Sequence, residues 1–348
     1  MYESMSSDMS FPEPTLKYTQ SGPRKDNIGI EYYSPKPNGD FEVVLLNTSD
    51  EGKHWETLSA RSGEIKKEKR LGMFVYQYGV NSDFLRSRDG GNHWEHPQFN
   101  IGDRRKTSEG HTIESVRADI RFIFSGVDPR EATTIYGCLE PKEVQGNSRP
   151  ISYGGLFISY DAGDNWSLLT DQVRSRRESE GCPLGISPSN PDIMIAHGLR
   201  GLVISRDSGK HWALAEGMAE FEKPAKLKGY AENLAFVKGK GLSVAKEWPF
   251  EWTYPTVTQI EFLPLDPQVA FVVTNKGVYK SSDGGQSWCL LDTGPHRLSD
   301  VRSIYIESGA KPRIFIGTNF KLLISYDLGC HFKIFFDWEN YTKRDLMR

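Results

Sequence analysis

The octapeptide Ser281-Ser282-Asp283-Gly284-Gly285-Gln286-Ser287-Trp288 is one of six copies of the pattern Ser/Thr-x-Asp-x-Gly-x-x-Trp/Phe in this chain. The others are Thr48-Asp50-Gly52-Trp55, Ser87-Asp89-Gly91-Trp94, Ser159-Asp161-Gly163-Trp166, Ser205-Asp207-Gly209-Trp212 and Ser325-Asp327-Gly329-Phe332. A short unit repeating every few tens of residues implies a repeat architecture. The residue types are those of a tight reversal between two strands. The Asp accepts backbone N–H groups of its own turn, and the Ser or Thr hydroxyl serves a second amide. Gly supplies the positive φ, and the aromatic packs back over the turn as the next strand begins.

The flanks agree with this reading. Apolar and β-branched runs precede the copies: Phe41–Leu46, Gly155–Ile158, Leu202–Ile204, Val278–Tyr279 and Leu322–Ile324. Upstream lie Asp128-Pro129, Asn190-Pro191, Asp266-Pro267 and the looser Lys311-Pro312, each followed by a β-rich run. Pro presets φ for a turn leading into a strand.

The octapeptide resembles the Asp-box, or BNR repeat, over roughly residues 40–335. That motif marks a group of β-propellers: sialidases, xyloglucan-cleaving endoglucanases, sortilin-type sorting receptors and photosystem II assembly factors. The resemblance implies an all-β propeller of four-stranded antiparallel blades, with the box as the turn between the third and fourth strands. It also implies that a functional site lies away from the boxes, so Asp50, Asp89, Asp161, Asp207, Asp283 and Asp327 are expected to be structural.

A blade takes about 40–50 residues. The intervals 50–89, 161–207 and 283–327 fit one blade each, whereas 89–161 and 207–283 are longer. The first long interval reads as one blade with polar insertions at Asn100–Glu114 and Glu140–Pro150. In the second, Glu232–Val237, Gly241–Ala245 and Trp248–Trp252 read as a degenerate blade at about 225–254. The count is then seven blades, with six as the alternative. Residues 14–348 are expected to form one propeller and residues 1–13 a mobile segment or strap.

The chain has 348 residues and a formal net charge of −3, which gives no electrostatic case for nucleic acid. There is no apolar run of membrane-spanning length. The N-terminus lacks a basic n-region and an apolar h-region, so a cytoplasmic location is expected unless a leader was removed. Cys138, Cys182, Cys289 and Cys330 show neither a CxxC pair nor a disulfide framework. His54, His93, His211 and His331 each precede a box aromatic and read as turn residues; the other histidines lack metal spacing. No metal or cofactor is expected, and the chain is expected to be a monomer.

The inter-blade segments are rich in cations. Arg61, Lys66, Lys67, Lys69 and Arg70 form one group, Arg104, Arg105, Lys106 and Arg117 a second. Arg174, Arg176 and Arg177 form a third, Arg297 and Arg302 a fourth. On one face they would ring the channel mouth, where guanidinium forks suit carboxylate, sulfate or phosphate. Interspersed acids argue instead for a mixed solvated surface. Trp248 and Trp252 are candidates for stacking on a sugar or anchoring an interface, or else they fill space left by a missing box.

For catalysis, the sialidase resemblance implies an Arg-Ile-Pro motif, which is absent, and a Tyr–Glu nucleophile pair, for which Tyr230 and Glu232 are the nearest match. A glycosidase needs two carboxylates facing one cleft. Asp119, Glu232, Glu247, Glu251, Glu261 and Asp300 are candidates, and no pair is assignable. The function expected is a non-catalytic binding or assembly propeller that recognises a protein or anionic glycan on its inter-blade loop face. The alternative is a sialidase-like or xyloglucanase-like glycoside hydrolase.

Overall fold

The computed structural model describes residues 15–20, 28–35, 41–62, 66–79, 84–101, 120–141, 155–170, 172–173, 182–198, 201–215, 257–274, 276–292, 301–307, 309 and 311–345. They form six sheets arranged as propeller blades, antiparallel except for one added parallel strand. Blade one is Thr15–Gln20 (β1), Ile28–Pro35 (β2), Phe41–Thr48 (β3) and Glu56–Ser62 (β4). Blade two is Lys66–Leu71 (β5), Phe74–Gly79 (β6) and Leu85–Ser87 (β7), its fourth strand reduced to a bridge from Arg86 to Glu95. Asn100–Ile101 (β8) then crosses to blade three, which consists of Ile120–Asp128 (β9), Glu131–Pro141 (β10), Gly155–Ser159 (β11) and Asn165–Thr170 (β12). β8 adds to β12 in parallel as a fifth strand.

Blade four is Leu184–Ile186 (β13), Met194–Gly198 (β14), Gly201–Ser205 (β15) and Ala213–Leu214 (β16). Blade five is Val257–Leu263 (β17), Asp266–Thr274 (β18), Gly277–Ser281 (β19) and Cys289–Leu290 (β20). Blade six is Val301–Ile306 (β21), Ile314–Thr318 (β22), Lys321–Ser325 (β23) and Lys333–Asp337 (β24), followed by helix α1, Trp338–Asp345.

Each octapeptide joins the third strand of its blade to the fourth position, and its bonds repeat. The Asp carboxylate accepts the backbone N–H four residues on at 2.9 Å in all six turns. The Ser or Thr oxygen accepts the Gly N–H at 2.8–3.0 Å. In four turns the Trp indole donates to the Gly carbonyl. The residue between Asp and Gly is left-handed, at φ near +60° for Glu51, Ala162, Ser208 and Leu328, and Gly fills that place at 90 and 284.

Apolar cores lie between neighbouring blades, because the two faces of each radial sheet both pack. Ile135, Phe157 and Trp166 share a core with Tyr76 and Phe84, joining blades two and three. Phe271 and Val278 meet Val301, Ile304 and Ile316 between blades five and six. The first blade closes against the last: Ile28, Ile30 and Leu46 pack on Phe315, Leu322 and Phe336. Among the described residues no strand is exchanged there. Instead α1 lays Trp338 on Tyr32, with ring centroids 3.8 Å apart, while Phe335 and Phe336 meet Trp55 edge-on.

The blade count corrects the expectation of seven. Ile195 and Ile204 of blade four share one core with Ile260, Val272 and Trp288 of blade five. A Cβ on Gly185 would lie 2.5 Å from Ile260 Cγ2. The two sheets are in direct contact, so no blade separates them. The strands expected at 225–254 lie outside the described residues.

Two further expectations are corrected. Cys138 on β10 and Cys182 just before β13 form a disulfide across blades three and four. Their separation of 44 residues hid the pairing, which depends on blade adjacency. Lys66, Lys67, Lys69 and Arg70 are not loop residues but belong to β5, the inner strand of blade two. That strand lacks an apolar pattern, so its charges resembled a loop. Among the described residues no helix is long and apolar enough to cross a membrane.

Candidate functional site in the axial channel

The first strand of each blade borders the axis, and the turn serines give a common ruler along it. In blade five, Glu261 pairs with Phe271, which pairs with Lys280, the residue before Ser281. The same count reaches Tyr305 in blade six, through Phe315 and Ile324. It reaches Lys69 in blade two, through Tyr76 and Arg86. Blades three and four have Gly126 and Gly185 at this place, and blade one has Thr19. Lys69, Glu261 and Tyr305 therefore share one level of the channel wall.

Glu261 is held from its own strand. Gln259 Nε2 donates to Glu261 Oε1 at 3.0 Å and to the Ile304 carbonyl at 2.9 Å. Gln259 Oε1 accepts the Ile304 N–H at 3.1 Å. The side-chain amide thus satisfies both backbone groups of an inner-edge residue and ties β17 to β21. Burial pushes the Glu261 carboxyl above its ordinary pKa, opposed by the Gln259 hydrogen bond and by Lys69 across the channel. Burial likewise raises Tyr305 and Tyr78, each with Glu261 as a further contributor.

Nearer the mouth the register slips in β17 between Val257 and Gln259, and in β21 between Val301 and Ser303. Thr258 and Arg302 occupy the irregular steps. Bulges re-aim side chains, and they are enriched at strand ends beside functional sites. Arg302 Nε donates to Asn319 Oδ1 at 2.8 Å, in the turn between β22 and β23. That turn lies at the end of the blade opposite the octapeptides. Burial draws the half-buried Arg302 guanidinium below its ordinary pKa. At the octapeptide end, Glu307 is gripped by Arg313 through Nε–Oε2 at 2.5 Å and Nη2–Oε1 at 2.6 Å, both residues buried.

Of the residues singled out in the sequence, Arg302 is placed at the channel mouth. Arg104, Arg105, Arg117, Arg174, Arg176, Arg177, Arg297, Trp248 and Trp252 lie outside the described residues. So do Asp119, Tyr230, Glu232, Glu247, Glu251 and Asp300. The six turn aspartates are engaged within their own turns, away from the channel mouth. Lys69, Gln259 and Tyr305 were not recognised as one group; counting back from each turn serine would have aligned Lys69 and Tyr305 with Glu261. Among the described residues no group of three or more metal-ligating side chains converges.

No family model matches the chain, and no curated protein matches it. Solved structures to which it is similar include an ancestral GH74 enzyme, at 14% identity and TM-score 0.48 over 78% of this chain and 31% of that one. YCF48 bound to D1 peptide is similar at 15% identity and TM-score 0.40, over 87% of this chain and 78% of that one. SapL1 lectin in complex with α-methyl fucoside is similar at 9% identity and TM-score 0.45, over 93% and 95%. The chain spans under a third of the length of the GH74 enzyme.

Proposed function

We propose that this chain is a binding propeller of the Asp-box kind, recognising an anionic group of a protein or glycan at the loop end of its channel. The observation that carries this reading is Arg302. A bulge lifts it from the inner strand, Asn319 braces its guanidinium, and burial has partly stripped it of water. A partly desolvated, oriented guanidinium suits carboxylate, sulfate or phosphate.

A glycosidase is the second reading, favoured by one observation. Burial pushes the Glu261 carboxyl above its ordinary pKa, the direction a general acid requires. Another buried acid, Glu307, is committed to Arg313, which weakens the case for a facing pair.

The test is a binding screen of immobilised chain against anionic glycans and acidic peptides, run beside a mass-spectrometric cleavage screen of the same glycans. Retention that falls about tenfold in Arg302→Met supports the binding reading. A defined cleavage product that disappears in Glu261→Gln would establish the hydrolase instead.

A further inference from the structure

We infer that the channel level carrying Lys69 and Glu261 is a second binding site, for a small zwitterion whose ammonium meets Glu261 and whose carboxylate meets Lys69. The two residues sit at one register position of the inner strands of blades two and five, which face each other across a six-bladed ring. Lys69 acts electrostatically on Glu261, yet the two lie beyond ion-pair distance. Among the described residues neither makes an ion pair with any other side chain. Gln259 donates to Glu261 Oε1, and among the described residues Oε2 accepts no hydrogen bond.

Blades three and four present Gly126 and Gly185 there, where the next blade packs close: a Cβ would meet Ile186 Cδ1 at 3.6 Å and Ile260 Cγ2 at 2.5 Å. Tyr305 adds a hydroxyl beside Glu261 at the same height. Lys69 and Glu261 thus hold opposite charges apart, with the lysine exposed to solvent. A molecule bearing both complementary charges satisfies them together, through charge-assisted hydrogen bonds. A simple anion or a simple cation satisfies one and meets repulsion from the other.

Titration should have a defined sign. The ammonium pairs with ionised Glu261, whose carboxyl burial keeps protonated to higher pH. The groups facing it are Gln259 on its own strand, Tyr305 on β21, and Lys69 and Tyr78 on β5 and β6. Zwitterion affinity should therefore rise with pH as Glu261 ionises and then level off.

The experiment is calorimetric titration of the full chain with glycine, 4-aminobutyrate and 6-aminohexanoate, against acetate and methylammonium as single-charge controls. The amino acids form a ruler for the Lys69–Glu261 span. One of them is expected to bind at least about tenfold more tightly than either control. Lys69→Met and Glu261→Gln should each cost about tenfold, Lys69→Arg should retain binding, and Glu261→Gln should abolish the pH dependence. Equal binding of zwitterions and controls, or wild-type affinity in folded Lys69→Met and Glu261→Gln, overturns the inference. Neither result bears on the mouth, where the glycan and peptide screen reads Arg302.

Discussion

Arg86, in the third strand of blade two, donates from Nη1 to the carbonyl of Ala162 in the turn of blade three at 2.9 Å. The same carbonyl position recurs around the ring. Gly284 accepts from Arg206 of blade four, and Leu328 accepts from Lys280 of blade five. A left-handed residue swings its carbonyl out of the turn, and the preceding blade meets it with a cation. Arg86 goes further, also binding Glu95 and Asp164 while nearly fully buried.

Arg86→Met should therefore destabilise the chain by about 3–5 kcal/mol, because it strands buried acceptors and carboxylates. Arg86→Lys should recover little of this, since an ammonium cannot span the Ala162 carbonyl, Glu95 and Asp164 together. Urea unfolding midpoints measure both.

The turns also predict opposite effects of glycine at neighbouring places. Gly285 has φ +91°, and a Cβ there would come 2.7 Å from Ile195 Cδ1. Gly285→Ala should cost about 2–3 kcal/mol from strain and overlap. Glu51 is exposed at φ 60°, where L side chains are disfavoured. Glu51→Gly should be neutral to stabilising by up to about 1 kcal/mol, read as a change in thermal midpoint.

Acid sensitivity should come from the turn carboxylates. The backbone N–H of His211, its ring and then the Ser205 hydroxyl hold Asp207 down at about 2. Asp50, Asp89 and Asp327 are held below the usual carboxylate range by the equivalent backbone N–H and imidazole of His54, His93 and His331. Each folded pKa lies below the unfolded one, so the stabilisation is full above about pH 5 and is lost as pH falls towards 2. Stability measured from pH 5 to 2.5 should fall less steeply in Asp207→Asn than in wild type, from a lower starting value.

Ring closure depends on α1. Trp338→Ala removes the stack on Tyr32 and contacts to Phe336 and Tyr341, and should cost about 2–4 kcal/mol. Limited proteolysis should then cut blade one first, whereas an unaltered digestion pattern would show that the apolar seam closes the ring without the helix.

The disulfide predicts a redox-dependent midpoint. Reduction, or Cys138→Ala with Cys182→Ala, should lower stability by about 2–4 kcal/mol through the freed loop. Scanning calorimetry with and without reductant tests this.

The octapeptides made the blades legible because a turn must satisfy its own amides locally, and local chemistry is written in adjacent residues. Blade number was less legible. The interval 207–283 is long enough for a blade, and only the contact of Ile195 with Ile260 and Val272 shows that none intervenes. The Cys138–Cys182 bridge and the Gln259–Ile304 bonds were hidden for the same reason, since both join different blades. The channel level was partly visible, because Lys69, Glu261 and Tyr305 lie at fixed places relative to turn motifs. The strand carrying Lys69 read as a loop because a wall facing water and charge needs no apolar alternation.

Among the described residues every sheet in this ring is drawn from one uninterrupted stretch of chain, including the five-stranded third blade. Each blade is therefore a self-contained cassette, and the ring is sealed by side chains rather than by a shared ladder. Extra sequence lying between finished cassettes, as residues 216–256 lie in the chain between β16 and β17, need interrupt none of these pairings. Such junctions can gain or lose length freely, so diversification should concentrate there while the blades stay fixed.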